Sequence, residues 1–219
     1  MHNNYSWKHY NNSIRKLVLY NINFNSKNQF NAPEKNYYPQ TRDIFSITAI
    51  TGNSKKILDF GSNLSMISNL RNKLELNNKE FIIYNPFFDN NFKPKIKNIK
   101  YKVVNNLEKI NKIKFDLVHF GSCIQYIKNF YELFEKIKFE KKSKILFTAT
   151  PFNLYSSYFA NQTNKKNLEQ FVHDYEFFKK FLNEKNFNLI FKSSIDIKLA
   201  KLKPIKLGTY FLNLLFQKK

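Results

Sequence analysis

The sequence predicts an α/β fold: a Rossmann-like three-layer sandwich built on a mostly parallel seven-stranded sheet that finishes in an antiparallel terminal hairpin. Three observations carry this expectation. Apolar runs of strand length recur at 55–60, 80–84, 98–104, 114–120 and 143–150, and helical spacing appears between several of them. Runs that are apolar on both faces belong to strands covered by helices on either side, and such strands pair in parallel through right-handed crossovers. The last two strand segments, 187–195 and 208–218, have only DIKLAKLKPIKL between them. Without a helix to carry a crossover, they are expected as antiparallel neighbours at one edge.

Taken in order, the chain opens with WKHYNNSIRKLVLYNINF, where Trp7, Tyr10, Ile14, Leu17, Val18 and Tyr20 fit one face of a helix. Pro33 and Pro39 mark an irregular connection, IFSITAI resumes as a helix, and Gly52-Asn53 is a turn signal. Residues 1–50 therefore read as an N-terminal helical cap, either a cover for the main domain or a lid on its substrate side. The main domain spans 51–219. In it, KKILDF (55–60) runs into Gly61 and then into a helical pattern at 64–76, through Leu64, Ile67, Leu70 and Leu74. EFIIY (80–84) and NIKYKVV (98–104) follow as strands. KFDLVHF (114–120) reaches Gly121 and a helix at 129–139, and SKILFTAT (143–150) is closed by Pro151. A long helical stretch at 168–186 precedes the two terminal strands, and no internal repeat is present.

Composition bounds the function classes. The 219 residues suit one domain, and 42% apolar residues with 24 Phe and 13 Tyr can bury a substantial core. No apolar run approaches the ~20 residues of a membrane span, and MHNNYSWKHYNNS lacks the apolar centre of a signal peptide. A cytoplasmic protein is the expectation. Cys123 is the single cysteine, so neither an intramolecular disulfide nor a cysteine metal cluster is available. The net charge of +21 admits a polyanionic partner. It equally fits an AT-rich coding sequence that over-uses Lys, Asn, Ile and Phe together. The lysines are scattered, with no block longer than a pair such as Lys141-Lys142, as on a solvated surface. Charge alone does not make this a nucleic-acid binder.

In an open parallel sheet, ligands bind beyond the carboxyl ends of the strands, where strand order reverses. The chain has four glycines, and two of them, Gly61 and Gly121, directly follow the first and fourth strands, which flank that switch point. Glycine there admits a positive φ or a close backbone approach. Singly each reads as turn chemistry; together they point to a ligand crevice. Asp59, at the end of the first strand, can accept hydrogen bonds from the turn or from a ligand ammonium. Ser62, Asn63 and Ser65 offer caps and free N–H groups at the next helix, which favours a carboxylate or phosphate. Asp116 reads as structural. Ser122, Gln125 and Tyr126 in GSCIQYI group polar side chains where a ligand would lie. Nucleophilic catalysis finds little support, since Cys123 lies among apolar residues without an activating neighbour. His119 in the fourth strand and His173 on a helix are the candidate bases, and each is also readable as a structural histidine. His2 and His9 add no metal-ligand spacing, and the absence of Gly-Lys-Ser/Thr excludes a P-loop.

LDFGSNLSM (58–66), FDLVHFGSCIQYI (115–127) and KILFTATPF (144–152) resemble a family of S-adenosylmethionine-dependent methyltransferases found among surface-polysaccharide biosynthesis genes. That family reads LDFGG-x-LG, SGSLQYI and D-R-T-P-F at these places. YSW (5–7), NQT (161–163) and FLNLLFQKK resemble it more faintly. The resemblance implies the class I methyltransferase fold, whose layout is five parallel strands and a terminal hairpin, and S-adenosylmethionine as cofactor. It places Asp59, Phe60 and Gly61 in the loop that holds the methionine end, and Ser122 and Gln125 beside the sulfonium and the substrate entrance. Thr150, Pro151 and Phe152 shape the acceptor pocket. The chain departs from the pattern at Ser62 and Ser65, which stand in glycine positions, and at Thr148 and Ala149, which replace Asp-Arg. Asn85 stands where an acidic residue accepts the ribose hydroxyls; an amide can still accept, without the charge-assisted share of about 1 kcal/mol.

The leading expectation is thus methyl transfer to a small-molecule or glycan acceptor. The alternative is a methyltransferase-fold protein without turnover, serving as a binding or assembly subunit. A nucleic-acid methyltransferase is a third reading, but it expects a motif such as Asn-Pro-Pro-Tyr after the fourth strand. GSCIQY stands there instead, and YNPFF (84–88) follows the second strand.

Overall fold

The computed structural model describes residues 49, 52, 54–62, 64, 66–67, 76–88, 99–162, 169–195 and 202–219. The expected N-terminal cap, apart from Ala49, lies outside them, as do Asn63 and Ser65. Among the described residues, ten strands form one mixed sheet. The first five are β1 (Lys56–Phe60), β2 (Glu80–Tyr84), β3 (Lys100–Val104), β4 (Lys114–Gly121) and β5 (Lys138–Asn153). They pair in parallel in the order β3-β2-β1-β4-β5. Order reverses between β1 and β4, where the crevice is expected. β8 (Phe187–Ile195) and β10 (Thr209–Lys218) form the antiparallel terminal pair, with β10 lying between β5 and the edge strand β8.

The seven-stranded description is incomplete, because three further strands branch from the end of β5. These are β6 (Tyr158–Gln162), β7 (Glu169–Asp174) and β9 (Leu202–Lys203), paired antiparallel among themselves. Last-turn residues Phe152 and Asn153 of β5 pair with His173 and Asp174 of β7. The long helix expected over 168–186 is therefore a strand followed by a ten-residue helix, α2 (Tyr175–Glu184). Asp174 marks the boundary: its carboxylate accepts the Phe177 N–H at 2.9 Å, an N-cap that stops the helix from extending backwards. The preceding helix is shorter than expected, α1 (Phe130–Lys136), because Lys138 already belongs to β5. Pro151 does not close β5 but lies within it.

Alternation of side chains splits the sheet between two cores. Leu58, Phe60, Val118, Phe120, Ile145 and Phe147 face α1 and α2 in the larger one. Phe60, Phe120 and Phe147 stand side by side across β1, β4 and β5, with the last two rings stacked at 5.1 Å. Ile57, Leu117, Leu146 and Leu215 face Ala49, Met66 and Ile67 on the other side. A bulge interrupts β5: Thr148 and Ala149 together oppose the single Asn213 of β10, whose side-chain oxygen accepts the Ala149 N–H at 3.0 Å. Asp116 caps the amino end of β1 by accepting the Lys55 and Lys56 N–H groups, which bears out its structural reading.

Candidate functional site

Left-handed backbone gathers near the carboxyl ends of the central strands, where three of the five described non-glycine residues with positive φ lie, the others being Lys142 and Asn186. Gly61 has φ of 69°, Leu64 67°, Ser122 53° and Ala149 49°. For Gly61 this conformation is free, whereas for the other three it costs on the order of 1 kcal/mol each. Such clusters of left-handed residues persist where surrounding contacts over-determine them, and they collect at ligand sites. Here the contacts are visible. The Ser62 N–H donates to the Tyr84 carbonyl at 3.0 Å, fastening the β1 turn to β2. The Ser122 N–H donates to the Thr148 carbonyl at 2.8 Å, fastening the β4 turn to the β5 bulge.

Beneath these turns a buried polar chain crosses three strands. Asp59 and His119 are register partners on the same face, and the carboxylate meets His119 Nδ1 at 2.8 Å. Its other oxygen accepts the Ser62 hydroxyl, and His119 Nε2 meets Thr148 Oγ1 at 3.0 Å. Asp59, Ser62, His119 and Thr148 are all buried. The chain explains Gly121: a Cβ there would stand 2.8 Å from His119 Cε1, so the glycine clears room for the imidazole. His119, with both ring nitrogens engaged, has none free to take a proton from an acceptor.

Asn85 holds the neighbouring wall. Its amide donates to the Ser62 carbonyl at 2.8 Å and accepts the Phe87 N–H at 3.0 Å, and it is 1% exposed. Cys123 is buried against the Phe60 carbonyl, with Sγ at 3.3 Å; burial, helped by the Asp59 charge, pushes its thiol well up. A thiol held protonated is no nucleophile.

A second cluster lies where the short 3-10 turn Ile124–Tyr126 meets β7. The Gln125 amide donates to Ser122 Oγ at 3.0 Å, and the Gln170 amide donates to the Tyr126 hydroxyl at 2.7 Å. Burial raises the Tyr126 phenol, so it stays a neutral group. The side-chain oxygens of Gln125 and Gln170 are buried without a hydrogen-bond partner, and so are both ring nitrogens of His173. Gln170 was not among the sequence candidates, because 168–186 read as helix. Gln-Phe-Val-His-Asp has no period that could have found it, and the one signal was Asp174 as a helix N-cap.

His173 sits in an aromatic cage of Phe130, Tyr131, Phe152, Phe171 and Phe178. Burial drives its pKa down to about 3; the Ile124 backbone nearby opposes this only weakly. An imidazole this reluctant to bind a proton does not suit a general base near neutral pH. Thr150 and Phe152 are fully buried, and Phe152 packs 4.9 Å from Phe178 in the main core. Pro151 is buried beside Phe211 in the β5–β10 ladder, just past the bulge. Among the described residues, no group of three His, Cys, Asp or Glu side chains is placed to hold a metal ion, and no helix is long and apolar enough to cross a membrane.

No family model matches the chain, and no curated protein matches it in sequence. Solved structures match it in fold. A 1,6-didemethyltoxoflavin-N1-methyltransferase from Burkholderia thailandensis, with bound 1,6-didemethyltoxoflavin and S-adenosylhomocysteine, aligns with a TM-score of 0.57 at 7% identity, covering 94% of this chain and 88% of that one. An S-adenosylmethionine-dependent methyltransferase from Listeria monocytogenes aligns at 0.56 with 10% identity, over 81% of this chain and 98% of that one. A glycopeptide N-methyltransferase aligns at 0.53 with 12% identity, over 81% and 94%. Strand order, the switch point between β1 and β4, and these likenesses give the chain the Rossmann-like fold of S-adenosylmethionine-dependent methyltransferases.

Proposed function

We propose that the protein is an S-adenosylmethionine-dependent methyltransferase acting on a small-molecule or glycan acceptor. The observation that carries this reading is the pair of left-handed turns, at Gly61 and Ser122, that open side by side at the ends of the two switch-point strands. S-adenosylmethionine would supply an electrophilic methyl group on its sulfonium. The Gly61 turn presents backbone to the methionine end, with Phe60 and Ser62 flanking it. Asp59 acts by holding that turn in shape, since its oxygens already face Ser62 and His119. The Asn85 oxygen, which keeps a second lone pair beyond its bond to Phe87, can accept a ribose hydroxyl. Gly121 and Ser122 line the other side of the crevice, and Gln125 and Tyr126 stand towards the acceptor. With neither histidine placed as a base, rate enhancement rests on holding donor and nucleophile in contact. That suits an acceptor whose nucleophile needs little deprotonation. Thr150, Pro151 and Phe152 support the acceptor side from within the core.

A second reading, a binding or assembly subunit without turnover, is favoured by the engagement of both Asp59 oxygens within the protein. Calorimetry with S-adenosylmethionine separates the two. Saturable binding that Gly61→Val weakens about tenfold or more, by forcing a Cβ into the left-handed turn, supports the first. A folded protein that releases no binding heat at millimolar cofactor overturns it.

A further inference from the structure

Two connections meet at the carboxyl edge of the sheet, 154–157 between β5 and β6 and 204–208 between β9 and β10. They are joined to each other by hydrogen bonds. The Leu154 N–H donates to the Gly208 carbonyl at 3.0 Å, and the Asn153 amide donates to the Leu207 carbonyl at 2.8 Å. The Lys206 N–H donates to the Tyr158 hydroxyl at 3.2 Å, and Thr209 Oγ1 donates to the Lys206 carbonyl at 2.7 Å. Gly208, at φ of 77°, lets the Tyr155 ring lie on its backbone, where a Cβ would come within 2.6 Å of the ring.

This hydrogen-bonded unit holds large apolar side chains out in solvent. Leu207 is 87% exposed, Tyr155 70%, Ile205 51% and Leu154 39%. A scaffold that presents adjacent apolar groups marks an interaction surface. The 204–208 loop carries exposed Lys206, exposed Lys203 precedes it at the end of β9, and neither loop contains Asp or Glu. Apolar tips with a tyrosine at headgroup level and flanking lysines match the requirements of an anionic bilayer surface. A second copy of the chain fits less well. Twofold contact through this patch would oppose lysine to lysine on two chains of net charge +21 each. Four side chains also fall well short of the ~800 Å² per partner of a stable interface.

We propose that the 154–157 and 204–208 loops dock the protein on an anionic lipid bilayer. Ile205, Leu207 and Leu154 enter the boundary between headgroups and acyl chains, Tyr155 lies at headgroup depth, and Lys203 and Lys206 face the lipid charges. Docking needs no cofactor and no methyl transfer, so it stands or falls apart from the proposed activity.

Vesicle sedimentation of the full chain at physiological ionic strength tests it. The probes are phosphatidylcholine vesicles and an equal mixture of phosphatidylcholine and phosphatidylglycerol. Binding is expected on the mixed vesicles only. The Ile205→Ser/Leu207→Ser variant is expected to lose about tenfold in affinity. Lys203→Ala/Lys206→Ala should lose at least as much, since each lysine near an anionic surface contributes about fivefold. Exposed lysines remote from the loops, replaced in Lys138→Ala/Lys141→Ala, should leave binding within about twofold, and all three variants keep the wild-type melting curve. Unchanged binding by the serine variant, or an equal loss in the remote lysine variant, would show only diffuse charge attraction and overturn the proposal. So would a wild-type dimer in light scattering that Ile205→Ser/Leu207→Ser dissolves, because the patch would then belong to a second copy.

Discussion

Asp59 and Gln170 are both polar side chains buried near the same edge of the sheet, yet their surroundings differ in kind. Around Asp59 every polar atom has found another within the protein: Ser62, His119 and Thr148 form a closed chain across β1, β4 and β5. Around Gln170 the hydrogen bonds stop short, leaving the oxygens of Gln125 and Gln170 and the His173 ring without partners. A buried polar group without a partner lowers stability by about 1–3 kcal/mol. A fold keeps such groups where something outside the chain, a water or a ligand, completes them. The closed cluster is thus a tie between strands, and the open one is the better place for a water or a ligand to complete.

The sharpest way to break this contrast is Asp59→Ala. It strands Ser62 and His119 in the interior and is expected to destabilise by about 2–4 kcal/mol in urea unfolding. A loss under 1 kcal/mol would show that the chain is not a tie. Next in size is the acid response of the open cluster. His173 titrates near 3 when folded against 6.5 in an unfolded chain. The unfolded state therefore binds the extra proton between these values, so stability is full above pH 6.5 and falls as pH drops towards 3. At pH 4.5 the loss from this residue is on the order of 2–3 kcal/mol. His173→Phe, which keeps the aromatic cage filled, should flatten that limb; an unaltered limb would place the acid response elsewhere. The smallest effect is expected from Gln170→Leu, within about 1 kcal/mol of wild type at neutral pH. If Gln170→Leu instead costs as much as Asp59→Ala, the two clusters are alike and the distinction fails.

The same contrast explains what the sequence could reveal. β1, β2 and β8 were legible because they are short, apolar and bounded by turn residues, and β2 and β8 match their expected limits. Gly61 was legible as a turn glycine, and its positive φ fits that reading. The Asp59–His119 pair was not, because only strand order and register bring residues 60 apart side by side. The packing reason for Gly121 was hidden with it, since the group that a Cβ there would meet is His119. β6, β7 and β9 escaped because short strands rich in polar residues carry no period of their own. Phe171, Val172, Tyr175 and Phe178 also satisfy a helical spacing.

The β5 bulge sets a parity for everything that follows it in the strand. Phe147 and Phe152 are an odd number of residues apart, yet both belong to the larger core, which a regular pleat forbids. The doubled position at Thr148 and Ala149 absorbs the extra step. Smoothing the doubled position into a regular pleat without shortening the chain would leave every side chain chemically intact and still turn Phe152 to the opposite side of the sheet. Asn153, which stitches the two exposed loops together, would turn with it. The bulge, more than the identity of the residues in it, decides which side of the sheet Phe152 and Asn153 face.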